Sequence, residues 1–216
     1  MKKRIRIQVD KKKHGEFFSW AHRIKTKIKN RGTGAGGANT NANGLSYEAL
    51  TMLPYHIIEE EENHMKIKFH GCDKTFICAN QCKFYKYMDS IGVIKKKTIR
   101  KAHGCHKPDE CYIDHAGNII FIIEKKFQQG PGSVCEKIQT PVFKTWLFEK
   151  TFPDYTIVYM YCLSDWFRSH CKTELDYLAN ISKTPVFFGS SETYKKDVIH
   201  FITNYNNNNN NNNIES

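Results

Sequence analysis

The stretch "PDECYIDHAGNIIFIIEKKFQ", residues 108–128, decides the fold. Five apolar residues follow one another from Ile119 to Ile123, and an unbroken apolar run bounded by turn residues marks a strand buried on both faces. The run ends on Glu124, Lys125 and Lys126. Upstream, "DHAGN" (114–118) has turn composition, so residues 110–126 are predicted to form a hairpin. Folding the chain back about Ala116 and Gly117 sets Asp109 opposite a residue between Ile122 and Glu124. Glu124 and Lys126, two apart on a strand, leave on one face, and Lys125 leaves on the other. Asp109, Glu124 and Lys126 are therefore expected to share one corner of a sheet.

Such a corner needs compensation. Two carboxylates about 4 Å apart repel by roughly 4 kcal/mol at an effective dielectric near 20. One lysine balances one carboxylate, and the remaining charge calls for a proton or a cation. Carboxylate oxygens completed by water suit Mg²⁺, which takes one or two carboxylates plus substrate phosphate. The chemistry this supports is phosphodiester hydrolysis, with the ion polarising the phosphate and the lysine steadying charge or helping to deprotonate the attacking water. An incidental ion pair on a surface hairpin is the competing account.

Outward from the hairpin, strands and helices alternate. "MKIKF" (65–69) alternates like a half-exposed strand, and "YTIVYMYCL" (155–163) is a second continuous apolar run, hence a second buried strand. "PVFFG" is a short strand, and residues 191–203 form a last helix. "GSVCEKIQTPVFKTWLFEK" starts a helix at Ser133, with Glu136 completing a capping box. "SDWFRSHCKTELDYLANI" is one amphipathic helix capped by Ser164 or Asp165. "LSYEALTMLPYHIIEEEE" reads as a helix interrupted or kinked at Pro54, with Glu48 in its first turn, where the helix dipole favours an acid. Residues 75–88 are ambiguous. The pattern is that of an α/β domain, a mixed central sheet flanked by helices.

Charge and composition frame this domain. The net charge is +11, and residues 1–31 hold twelve Lys or Arg against Asp10 and Glu16. A basic arm on a near-neutral body suits a polyanion such as nucleic acid. "GTGAGGANTNANG" (32–44), with five glycines, is expected to form no regular element; it lacks the Gly-Lys-Ser/Thr ending of a nucleotide P-loop, so ATP binding is rejected. Residues 1–37 thus read as a basic arm and Gly-rich linker, partly disordered, 38–204 as the folded domain and 205–216 as a disordered Asn-rich tail. A second basic cluster, Lys95, Lys96, Lys97, Arg100 and Lys101, lies near the charged strand end in sequence. No stretch reaches the roughly 18 apolar residues of a membrane span, and the N-terminus lacks a secretory apolar region, so a soluble intracellular protein without membrane contact is expected.

The eight cysteines are expected to be reduced, with Cys135, Cys162 and Cys171 as buried small hydrophobes. "HGCHKPDEC" with Cys78 and Cys82 upstream offers a rival, a zinc-stabilised nucleic-acid-binding module without catalysis. Its spacing from His103 to Cys111 is irregular for zinc.

The residues Pro108-Asp109, then Glu124-Lys125-Lys126, on a hairpin followed by a helix and a buried strand, resemble the PD-(D/E)xK nuclease superfamily. With "ANTNANGLSYE" before them and "GSVCEKIQT" after, they are similar to small type II restriction endonucleases over roughly residues 38–190. The resemblance implies a restriction-endonuclease-like core and Mg²⁺-dependent cleavage of double-stranded DNA, with a structure-specific or repair nuclease as the alternative within the class. It implies that Asp109, Glu124 and the backbone carbonyl of Lys125 bind Mg²⁺ and that Lys126 positions the attacking water. Glu48 sits where many members carry an acid that joins the metal site through water, and Gln128 and Gln129 follow the strand where some members carry a glutamine against the phosphate or the lysine. Asn39, Asn41 and Asn43, with the 95–101 basic cluster, are candidate DNA contacts. A homodimer is implied by analogy with enzymes that cut palindromes.

Overall fold

In the computed structural model the described residues are 38–94, 107–130, 134–189 and 192–205. Strand β5 (Ile119–Lys126) is the spine of a seven-stranded mixed sheet. On one side it pairs antiparallel with β4 (Glu110–Asp114), in a register that sets Glu110 against Ile123 and Asp114 against Ile119. On the other it pairs parallel with β6 (Thr156–Leu163), which pairs parallel with β7 (Val186–Phe188). Beyond β4 the antiparallel strands β3 (Phe76–Cys78), β2 (Met65–Lys68) and β1 (His56–Glu60) complete the sheet, so strand order follows chain order.

The hairpin turn forms because the Asp114 carboxylate accepts the Gly117 N–H at 3.0 Å and Asn118 takes φ 52, a left-handed conformation that asparagine tolerates. The expected register holds: continuing the β4–β5 pairing by one residue brings Asp109 opposite Glu124.

Side-chain alternation along β5 builds a core on each face. Ile120 and Ile122 point to one layer, with Tyr159 and Tyr161 of β6; it is covered by α2 (Cys82–Ser90), α4 (Pro141–Thr151), α5 (Trp166–His170) and α6 (Lys172–Asn180) through Phe84, Phe148, Phe167 and Leu178. Ile119, Phe121 and Ile123 point to the other, under α1 (Ala38–Leu50) and α7 (Glu192–Asn204), which contribute Tyr47, Val198 and Ile202. All five residues of the apolar run are buried. The chain is α/β, with a mixed sheet between helical layers.

Several expectations are corrected. The segment "ANTNANG" is helical, as the first half of α1, so the glycine-rich stretch gives way to regular structure at Ala38. Intrinsic propensity is a weak prior, and Tyr47 in the same helix packs into the core. The helix stops at Leu50 instead of running past Pro54, and "HIIEE" is strand β1, paired with β2. Glu48 therefore lies in the last turn of α1, not the first. The single helix expected from Ser133 is two: α3 (Val134–Lys137) and α4, separated where Pro141 takes the first helical position, which its fixed φ and missing N–H suit. Ser133 itself lies outside the described residues. The helix expected over 164–181 is also two, α5 and α6, broken at Cys171, whose φ of −125° and ψ of 46° are not helical. Asp165 precedes α5 but makes no side-chain cap. Cys171 is bonded to Cys135 in α3, so these two cysteines are a disulfide and not separate buried thiols. The ambiguous 75–88 segment resolves into β3 and α2.

Candidate active site

The charged corner forms at the carboxyl end of β5, the side of a parallel sheet where α/β folds place ligand sites. Asp109 immediately precedes β4; its Oδ2 accepts the Lys125 backbone N–H at 2.8 Å, which holds the carboxylate beside the end of β5. Glu124 and Lys126 project on the same face, with Lys126 Nζ 2.5 Å from Glu124 Oε1. A group not anticipated from sequence completes the corner. Lys144 reaches over from α4, and its ammonium lies 3.0 Å from the same Oε1 and 5.7 Å from the centroid of the Tyr159 ring. Glu124, Lys126 and Lys144 keep 15%, 21% and 23% of their side-chain surface, so the corner is sheltered but open to solvent.

The carboxylates do not share one environment. Burial, then the charge of Glu124, pushes the Asp109 carboxyl above its ordinary value, with Lys126 and the Lys125 N–H opposing. Burial alone would raise Glu124 too, but the ammoniums of Lys126 and Lys144 outweigh it and hold this carboxyl below its usual range. Glu48 is raised by burial and then by Asp109. A carboxylate in the last turn of a helix is on the unfavourable side of the helix dipole, so helix-start stabilisation cannot account for Glu48. The ammoniums of Lys125 and Lys126 favour its charged form, but burial and Asp109 outweigh them.

The opposite face of the same strand end carries a second, fully enclosed charge pair. Lys125 and Glu110, 1% and 0% exposed, meet at 2.5 Å. Lys125 Nζ also donates to the Glu48 carbonyl at 3.1 Å, while Glu110 Oε1 accepts the Leu53 N–H at 3.1 Å and the Tyr112 hydroxyl. This network braces the end of α1 against the hairpin and so fixes where Glu48 stands. The alternation rule that puts Asp109 and Glu124 on one face also puts Glu110 and Lys125 on the other, so the sequence carries the signal for this second pair as well.

No protein-family model, curated protein or solved structure matches this chain.

The other expected site residues fall differently. Gln128 does not reach the lysine: its Nε2 donates to the Gly130 carbonyl at 2.5 Å, and its N–H donates to Ser164 Oγ at 3.0 Å. Asn39, Asn41 and Asn43 lie in α1, but their side chains are outside the described residues, as are Lys95, Lys96, Lys97, Arg100 and Lys101. A cleft of about 840 Å³ opens between α1 and the segments that follow β5 and β6, lined among others by Ser46, Gln129 and Trp166 and by none of Asp109, Glu124, Lys126 and Lys144. Among the described residues no helix is long and apolar enough to cross a membrane.

For zinc, Cys78 and Cys111 are buried in cores on opposite faces of the sheet, and His103, Cys105 and His106 lie outside the described residues. Burial pushes the Cys78 thiol up to about 12, the reverse of a poised metal ligand. Among the described residues no three His, Cys, Asp or Glu side chains gather as a ready-made metal site. The corner offers two carboxylates, with Glu48 nearby, which is the small protein contribution that Mg²⁺ accepts when water and substrate oxygens supply the rest. Burial and then the charge of Glu124 raise Asp109, and a cation beside the pair would oppose both.

Proposed function

We propose that this chain is a Mg²⁺-dependent nuclease that hydrolyses phosphodiester bonds of double-stranded DNA, with a restriction-endonuclease-like core. The observation that carries this reading is the meeting of Asp109, Glu124 and Lys126 at the carboxyl end of β5, with Asp109 anchored on the Lys125 N–H and Glu124 kept ionised by its lysines. Asp109, Glu124 and the Lys125 carbonyl would hold the ion, which supplies polarisation of the phosphate and activation of water. Lys126 Nζ, on the same strand face as Glu124, orients the attacking water and steadies the charge that develops as the phosphate is attacked. Glu48, held over the corner by the Lys125 brace, extends the acidic set toward water. The remainder of the assignment, a type II enzyme that cuts at specific sites as a homodimer, rests on the resemblance of the Asp109–Lys126 segment to that family.

Incubating purified full-length protein with plasmid DNA and Mg²⁺ tests the reading. Discrete fragments support site-specific cleavage. A smear supports a nuclease without sequence preference, and plasmid left intact overturns the nuclease reading.

A further inference from the structure

Glu124 Oε1 takes two ammoniums, so Lys126 and Lys144 together balance the two carboxylates of the corner in the absence of an ion. Lys126 is bound to that arrangement by its own strand, two residues away. Lys144 is not. It stands in the first turn of α4, its N–H donating to the Thr140 carbonyl, and a cation near a helix N-terminus opposes the helix dipole. Its ammonium nevertheless reaches Glu124 Oε1 at 3.0 Å, with the Tyr159 ring beneath it. An oxygen so occupied has little left to offer a divalent ion, and an ion entering there would repel an ammonium at that distance.

Resting on the nuclease reading, we propose that Lys144 is a place-holder for the divalent cation: it occupies Glu124 Oε1 in the ion-free protein and transfers to a DNA phosphate when the ion takes that oxygen. Of the two lysines it is the one able to leave, because its stem comes from a neighbouring helix while Lys126 must stay on the face of β5. The phosphodiester backbone provides the replacement partner for its charge. DNA and ion binding are then coupled, each raising the affinity of the other by the same factor. An ion site stoppered in this way takes the ion weakly until a substrate phosphate is present.

The test measures binding without turnover. Mg²⁺ is titrated by calorimetry into full-length wild type, Lys144→Gln, Lys144→Arg and Lys150→Gln, the last removing an exposed lysine from the same helix. With no DNA present, Lys144→Gln should bind Mg²⁺ about tenfold more tightly than wild type, within the range typical of linked sites. Lys144→Arg and Lys150→Gln should stay close to wild type. Lys144→Met, which keeps the methylene stem, replaces the Gln variant if that one loses its folded circular dichroism signal. Affinity for Mg²⁺ in Lys144→Gln equal to or weaker than in Lys150→Gln overturns the place-holder while leaving plasmid cutting, and with it the nuclease reading, untouched. An absence of Mg²⁺ binding in every variant, Lys144→Gln included, also overturns the place-holder, and the plasmid assay decides the nuclease reading separately.

Discussion

Replacing Glu110 by Ala should destabilise the protein more than any substitution in the catalytic corner. The Glu110 and Lys125 side chains are 0% and 1% exposed and 2.5 Å apart. Removing one partner of a buried pair leaves the other charge without compensation, which costs about 3–5 kcal/mol. The Leu53 N–H and the Tyr112 hydroxyl also lose their acceptor. Their losses overlap with the first because all three groups converge on one carboxylate, so the sum stays near the upper end of that range. Against a total stability of about 5–15 kcal/mol this is a large share. With a urea dependence of roughly 2 kcal/mol per molar, the unfolding midpoint should fall by about 2.5 M. Urea titrations followed by circular dichroism read this directly. The double variant Glu110→Gln with Lys125→Met removes both charges and should recover part of the loss, since neutral replacement of a buried pair is often tolerated. A loss below about 1 kcal/mol for Glu110→Ala, or a double variant worse than the sum of its parts, would refute the brace and the account of how Glu48 is placed.

Two further outcomes follow from groups outside the site. His115 bridges the hydroxyls of Tyr87 and Tyr155 at 2.6 and 3.0 Å. Burial and then His64 hold its imidazole below the ordinary value of 6.5, with Asp114 opposing. Because the unfolded chain takes up this proton first, stability should be fully present above about pH 6.5 and decline as the pH falls toward the folded-state value. His115→Gln should flatten that decline in melting temperature, and parallel pH curves for the two proteins would count against it. The Cys135–Cys171 bond closes a loop of sequence separation 36, for which chain entropy gives about 4 kcal/mol of stabilisation. Cys135→Ser with Cys171→Ser should therefore melt well below wild type, and an unchanged melting temperature would show that the bond adds nothing.

The hairpin and both buried strands were legible because each signal was local. The run Ile119–Ile123 names a strand buried on both faces, "DHAGN" names its turn, and period-two alternation then fixes which charges share a face. What escaped the sequence reading depends on contacts between distant segments. A helix through "ANTNANG" runs against propensity, and its partners are set by the sheet that Tyr47 packs on. Misplacing the start of that helix also misassigned Glu48 to a favourable dipole position, when it stands at the unfavourable end. Lys144 carries no motif; only the crossover from β5 to β6, which folds α4 back over the sheet, brings it to Glu124. The break between α5 and α6 falls at Cys171, whose bonded partner Cys135 lies 36 residues away in sequence.

Single-turnover cleavage of duplex DNA in Mg²⁺ by wild type, Asp109→Asn and Glu124→Gln, with duplex affinity measured in parallel, tests the central claim most directly. Losing electrostatic stabilisation at the reacting phosphate should slow cutting by about 100-fold or more in each variant, while duplex binding is retained. Cutting by either variant at the wild-type rate would contradict the assignment of these carboxylates to the chemistry.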